Sequence, residues 1–259
     1  MKNTRSLQWA LAVLVTVAFP LCASAQVPPR FYWKSLEGGN AVPLIYMDMS
    51  GNANPLDPSH TVIPESSFDA KIALGGYART FSVFGRSGIA AALLPMGRVS
   101  GSGSVLGRTF NQTATGFGDP TLEFVVNLLG PDPIRNIPDM LRYEPGFSLD
   151  FLFDVIVPIG EYDNAEVLNL GQNRWMGRVG APIVWQLGDW VPGRRTTLEL
   201  LPSIWFFGDN DDFVGRNLST DPKLQVEGHL TRDFHQNFWG SVDMNWVLGL
   251  CGHELGEWR

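Results

Sequence analysis

The sequence predicts an all-β protein, an antiparallel up-and-down transmembrane β-barrel, and three observations predict it. Long segments alternate apolar and polar side chains with a period of two, which is the signature of an extended strand. Glycine is abundant, 28 of 259 residues, while only 17% of residues are charged, a balance that suits a sheet with many turns. Beyond the extreme N-terminus no stretch stays apolar for the ~18 residues that a helical membrane span needs. The clearest segment is Gly146 to Gly160. There Phe147, Leu149, Phe151, Phe153, Val155, Val157 and Ile159 take the odd positions, and Ser148, Asp150, Asp154 and Pro158 the even ones, interrupted by Leu152 and Ile156. A soluble sandwich strand alternates in the same way but is usually ~5–6 residues long, whereas a tilted membrane strand needs ~9–11. Length favours the barrel.

Taken in chain order, residues 1–25 read as a signal peptide. Lys2 and Arg5 form a basic start, Trp9 to Leu21 an apolar core, and Ala23-Ser24-Ala25 a small-residue cleavage site before Gln26. The 19 basic residues then lose two, against 26 acidic ones, so the mature chain carries a formal charge of −9 rather than −7. Such a surface excludes nucleic acid as a partner. Only Cys251 follows the cleavage site, so neither an intrachain disulfide nor a cysteine metal site can form.

Residues 26–66 form an N-terminal extension rich in turn formers, with Pro28, Pro29, Pro43, Pro55, Pro58 and Pro64 around one weak strand from Val42 to Met49. It is either a plug folded into a lumen or an irregular extension. Residues 67–250 form the β-barrel domain. Phe68, Ala70, Ile72 and Leu74 share one face of the first segment, and Asp69, Lys71, Tyr77 and Arg79 the other. Ile89 to Met96 is a nearly continuous apolar run of ambiguous facing, and Ser100 to Ser104 reads as a Gly/Ser turn. Leu122, Phe124, Val126 and Leu128 then oppose Thr121, Glu123 and Asn127, and Gly130 to Pro145, with four prolines, reads as a loop.

Past the Gly146 segment, Trp175, Val179, Ile183, Trp185 and Leu187 alternate with Arg178 and Gln186. Leu198, Leu200, Ile204 and Phe206 alternate with Thr197, Glu199 and Ser203. Lys223, Gln225, Glu227, His229 and Thr231 oppose Leu224, Val226 and Leu230, and Phe238, Val242, Met244, Trp246 and Leu248 oppose Ser241, Asp243 and Asn245. These make about nine strands, joined by Gly/Asn/Asp-rich turns. Tyr77, Tyr162, Trp175, Trp190 and Trp239 near segment ends are candidates for an aromatic belt at headgroup level.

A sheet in hydrocarbon must satisfy every backbone polar group internally and therefore closes on itself. Its polar face then lines an interior. The candidate lumen-lining residues are Lys71, Tyr77, Arg79, Glu123, Asp150, Asp154, Arg178, Glu199, Lys223, Glu227, His229 and Asp243. Carboxylates there need water or cations beside them.

Several turn and strand-edge motifs carry a family resemblance: Trp33-Lys34-Ser35-Leu36-Glu37-Gly38-Gly39-Asn40, Gly118-Asp119-Pro120, Pro158-Ile159-Gly160-Glu161-Tyr162-Asp163, Asn169-Leu170-Gly171-Gln172-Asn173-Arg174-Trp175, and Leu218-Ser219-Thr220-Asp221-Pro222 with Gln225, Glu227 and His229. On these the chain resembles the outer-membrane family of the MetA pathway of phenol degradation. The resemblance implies an exported barrel in the bacterial outer membrane, in contact with outer-membrane lipid, that transports small hydrophobic or aromatic solutes, and it supplies no catalytic residues. After Leu250 the pattern breaks into Cys251 to Arg259, so the barrel is expected to be incomplete at the C-terminus; residues 251–259 are either a truncated or frame-shifted end or a short polar terminus.

No cofactor or metal is expected. His60, His229, His235 and His253 are scattered without zinc-ligand spacing, and Gly101-Ser102-Gly103-Ser104 lacks the helix that a phosphate loop or nucleophile elbow requires. The rival readings are a barrel-based outer-membrane enzyme, a filled structural barrel and a soluble periplasmic β-sandwich.

Overall fold

A computed structural model describes residues 28–249 apart from 64, 106 and 107. The signal peptide expected at residues 1–25 and the tail at 251–259 lie outside the described residues.

The N-terminal edge of the sheet is β1 (Asn40–Ala41) and β2 (Leu44–Gly51), separated by Val42-Pro43. Both pair with β3 (Ser67–Val83), which turns through Phe84-Gly85 into β4 (Arg86–Val105). Phe84 and Gly85 both have positive φ, the geometry of a tight hairpin turn whose twist matches its strands. β5 (Arg108–Phe117) pairs with the far half of β4, and β6 (Thr121–Leu129) with the near half. After the short α1 (Ile137–Leu141) come β7 (Phe147–Ile156), β8 (Met176–Gly180), β9 (Ile183–Gln186) and β10 (Thr196–Phe207). A small hairpin, β11 (Asn210–Phe213) with β12 (Arg216–Leu218), precedes β13 (Lys223–His235) and β14 (Phe238–Gly249).

Every pairing within this 12-stranded sheet is antiparallel, and the wall runs β3-β4-β6-β7-β8-β10-β13-β14. It curls until β2 and β14 flank one internal cavity. No second sheet covers its outer face among the described residues, so the sandwich reading falls. The outward row of β7 is open, with Phe147, Phe151 and Phe153 at 48, 40 and 43% exposure, while Ser148, Asp150, Leu152 and Asp154 are buried.

Two sequence expectations are corrected, and one strand, β5, is added. Gly101 to Ser104 is strand rather than turn; a Cβ on Gly101 would come within 2.6 Å of the Phe68 ring, so glycine admits that ring across the hairpin. β5, whose outer row is Thr109, Asn111, Thr113 and Thr115, lacks the outer apolar row that marks the strands of the other half. The segment from Trp175 to Leu187 is two strands, broken at Ala181-Pro182, where Pro182 has no N–H to give.

The two ends of the wall differ. At one end the strands join through short turns and the loop carrying α1. At the other stand longer connections, including 52–66, 157–175 and 208–222. Here β3, β4 and β5 reverse their pattern. Phe68, Ala70, Ile72, Val99 and Phe110 point inward and pack on Leu168 and Leu170, while polar side chains face out.

Candidate functional site

The inner wall carries three stacked layers. At the short-turn end the segment from Arg30 to Lys34 lies against the inward side chains of the wall. Tyr32 packs with Val125, Leu152, Val184 and Leu201 from β6, β7, β9 and β10. Lys34 Nζ meets Asp150 Oδ2 at 2.5 Å, and Asp150 also accepts from Asn127 at 2.7 Å. The Arg30 guanidinium donates to Asp233 at 2.7 Å, its backbone N–H donates to Glu199 at 2.8 Å, and Trp33 Nε1 donates to the other Glu199 oxygen at 2.9 Å. Arg30 also lies between the rings of Trp33 and Trp239, 4.5 and 4.2 Å from their centroids.

The middle layer is a charged row across neighbouring strands. Glu123 on β6 faces Asp154 on β7, Asp154 faces Arg178 on β8, and Arg178 faces Trp205 on β10. Arg178 donates to Asp154 at 2.5 Å and to Glu227 at 2.8 Å, stands 4.0 Å from Glu123, and lies 4.9 Å over the Trp205 ring. Trp205 Nε1 donates to Gln225, which in turn donates to Asn245. Burying charges this way is tolerable only because each carboxylate has a cation or donors nearby.

Above that row is a cavity of about 750 Å³, lined by β2, β3, β4, β6, β7, β8, β10 and β14, by loop residues from Asn52 to Val62, and by Asp119 and Leu170. Its upper rim is tied by Asp119, which accepts from the backbone N–H groups of Gly160 and Gln172 at 2.8 and 2.6 Å. Burial raises the Asp119 carboxyl above the usual aspartate range, and these two N–H donors oppose that rise. Nearby, the buried Arg174 donates to Thr220 at 2.7 Å and stands 3.4 Å from Asp57, and Lys223 donates to the Ser59 carbonyl at 2.6 Å.

Of the candidate lumen residues, Glu123, Asp150, Asp154, Arg178, Glu199, Glu227 and His229 are buried on the inner face. Lys223 and Asp243 are on the same face, half-buried, and His229 Nδ1 lies 2.8 Å from Asp243. Lys71, Tyr77 and Arg79 are not there. They lie on the outer face, Lys71 exposed beside Asp48 and Tyr77 47% exposed. For Lys71 the reason is the reversed pattern of this end of β3, whose apolar row is turned inward against a loop core; Tyr77 and Arg79 follow on the same outward row, where the Tyr77 hydroxyl donates to Asn40. The aromatic belt is corrected too: Trp190 packs on Trp33 at 5.1 Å and Trp239 under Arg30, both facing the N-terminal segment, whereas Trp175 and Tyr77 face outward.

The family model described as "Putative MetA-pathway of phenol degradation" matches residues 48–255. The chain belongs to this family. Among solved structures, an outer membrane channel from Pseudomonas putida F1 is similar in fold, with a TM-score of 0.67 and 20% sequence identity over 90% of this chain and 79% of that one. No curated protein matches the sequence.

Sequence reasoning missed Arg30 as a site residue, and it gave Lys34 no role although the residue stands in one of the quoted motifs. A signal was present. The wall strands place more carboxylates than cations on their polar face, and Arg30 and Lys34 sit in the segment immediately before those strands. Asn127, Thr197 and Gln225, all fully buried, were read only as generic polar alternation.

Proposed function

We propose that the protein is a bacterial outer-membrane barrel that passes small hydrophobic or aromatic solutes, acting as a transport protein rather than an enzyme. The observation that carries this reading is the cavity of about 750 Å³ inside the wall, large enough for a small organic molecule and lined by Met, Leu, Pro, Val and Trp residues with a smaller polar share that includes Asp119 and Arg178. The open apolar row outside the wall supports contact with hydrocarbon. The channel description of the Pseudomonas protein and the phenol wording of the family support the direction of the reading.

The conduit is then residues 67–250 together with β1 and β2 of the N-terminal extension, and Arg30 to Lys34 are a plug at the short-turn end. Barrels in the outer membrane keep short turns on the periplasmic side, so the plug would close the periplasmic exit. The ion pairs that hold it favour a second reading, a filled structural barrel that passes nothing.

Vesicles with a lipopolysaccharide outer leaflet, which resists apolar solutes, separate the two. The protein is expected to speed uptake of labelled naphthalene over empty vesicles, and deletion of Pro28 to Lys34 is expected to speed it severalfold more, with folding scored by heat-modifiable gel mobility. Rates equal to empty vesicles for both folded proteins would establish the filled barrel.

A further inference from the structure

Two cations meet where the outer face of β2 to β5 changes from apolar to polar. Pairing sets Asp48, Lys71, Arg98 and Thr115 side by side across β2, β3, β4 and β5, and all four are exposed. The next outward row towards the short turns is Tyr46, Ala73, Met96 and Phe117, with both aromatic rings and the methionine exposed. The next row towards the long connections is Ser50, Asp69, Ser100 and Thr113. Lys71 and Arg98 therefore stand in the first polar row beyond the apolar band. This end faces the cell exterior when the short turns face the periplasm. Like charges directly opposite on one face of a sheet repel, and little in the chain relieves this pair. Lys71 has one loose contact, 3.7 Å to Asp48, and the Arg98 guanidinium has no ion pair or hydrogen bond among the described residues.

We propose that Lys71 and Arg98 form a docking point for a phosphate of the outer-leaflet glycolipid, whose acyl chains pack on Tyr46, Met96 and Phe117. The proposal needs the lipid-facing wall and not the solute path, so either can fail alone. A guanidinium fork beside an ammonium suits phosphate oxygens, and one bound phosphate turns the repulsion between the two cations into a shared attraction. Asp48 and Asp69 flank the pair and weaken its pull on an anion dissolved in water. The apolar row must then supply the rest of the binding, which selects a phosphate carried on a lipid over free phosphate.

The test is titration of the purified full chain, in a neutral detergent, with diphosphoryl lipid A and with the same lipid stripped of its phosphates, read by native mass spectrometry. The phosphorylated lipid is expected to bind about tenfold tighter, the order that two basic side chains at an anionic surface supply. The double variant Lys71→Ala with Arg98→Ala, scored as folded by heat-modifiable gel mobility, is expected to bring the two lipids to within about threefold of each other. Arg135→Ala, which removes an exposed cation from the loop carrying α1, is expected to leave the tenfold preference unchanged. Equal binding of the two lipids by the wild-type chain overturns the proposal, as does a preference that survives in the double variant or is lost in Arg135→Ala. Inorganic phosphate that displaces lipid A at equal concentration overturns the lipid as occupant.

Discussion

Arg178 shows how a charge is kept inside the wall. Its guanidinium is held by carboxylates from β7 and β13 and lies over an indole from β10, so three strands converge on one side chain. Removing it leaves Asp154 and Glu227 buried without their cation, the costly way to break a buried pair. Arg178→Met is expected to destabilise the folded barrel by ~3–5 kcal/mol, read as the denaturant midpoint of the heat-modifiable band. Replacing Asp154 and Glu227 by leucine in the same chain should recover much of that loss; no recovery would show that the strands need the ions for something other than mutual neutralisation. The alternation at Asp154 and Arg178 was plain in the sequence. Which cation meets which carboxylate was not, because Arg178 and Glu227 are 49 residues apart and meet only through the strand order.

Strands are the scale at which the polar and apolar faces acquire an inside and an outside. Alternation in β7 and in the β3 segment looks alike in sequence, yet β7 turns its aromatic row outward and β3 turns its apolar row inward. Length explains the difference. β3 has 17 residues and β4 has 20, well beyond the ~9–11 that cross a bilayer, and the surplus behaves as a soluble sheet with its own core. Two substitutions separate these environments. Phe151→Arg places a charge on the outward row of β7 and is expected to cost ~2–4 kcal/mol near mid-membrane, seen as loss of folded protein in the outer-membrane fraction. Lys71→Ala, on an exposed side chain beside Asp48, is expected to change stability by less than ~0.5 kcal/mol. Equal sensitivity at the two positions would refute the assignment of the β3 end to water.

At the scale of the whole molecule, the curled sheet holds charge inside and apolar rows outside over its short-turn half, the inverse of a soluble domain. The chain is therefore expected to fractionate with the outer membrane, to require detergent for extraction, and to migrate faster on gels before boiling than after. Release into buffer by osmotic shock would contradict the lipid-facing wall. The N-terminal segment belongs to this scale too. Its prolines and single weak strand admit a plug or an irregular extension on the sequence and favour the extension, whereas in the fold Lys34 meets Asp150 and Arg30 meets Glu199 and Asp233 on the inner wall.

The sequence by itself determined the all-β class and the two-faced strands, because alternation follows from the local geometry of an extended backbone and needs no partner. Only the tertiary structure decided which face of each strand turns inward and which cations neutralise the inner carboxylates. Arg30 and Asp233, 203 residues apart, become neighbours only when the sheet curls, and no local pattern encodes that distance.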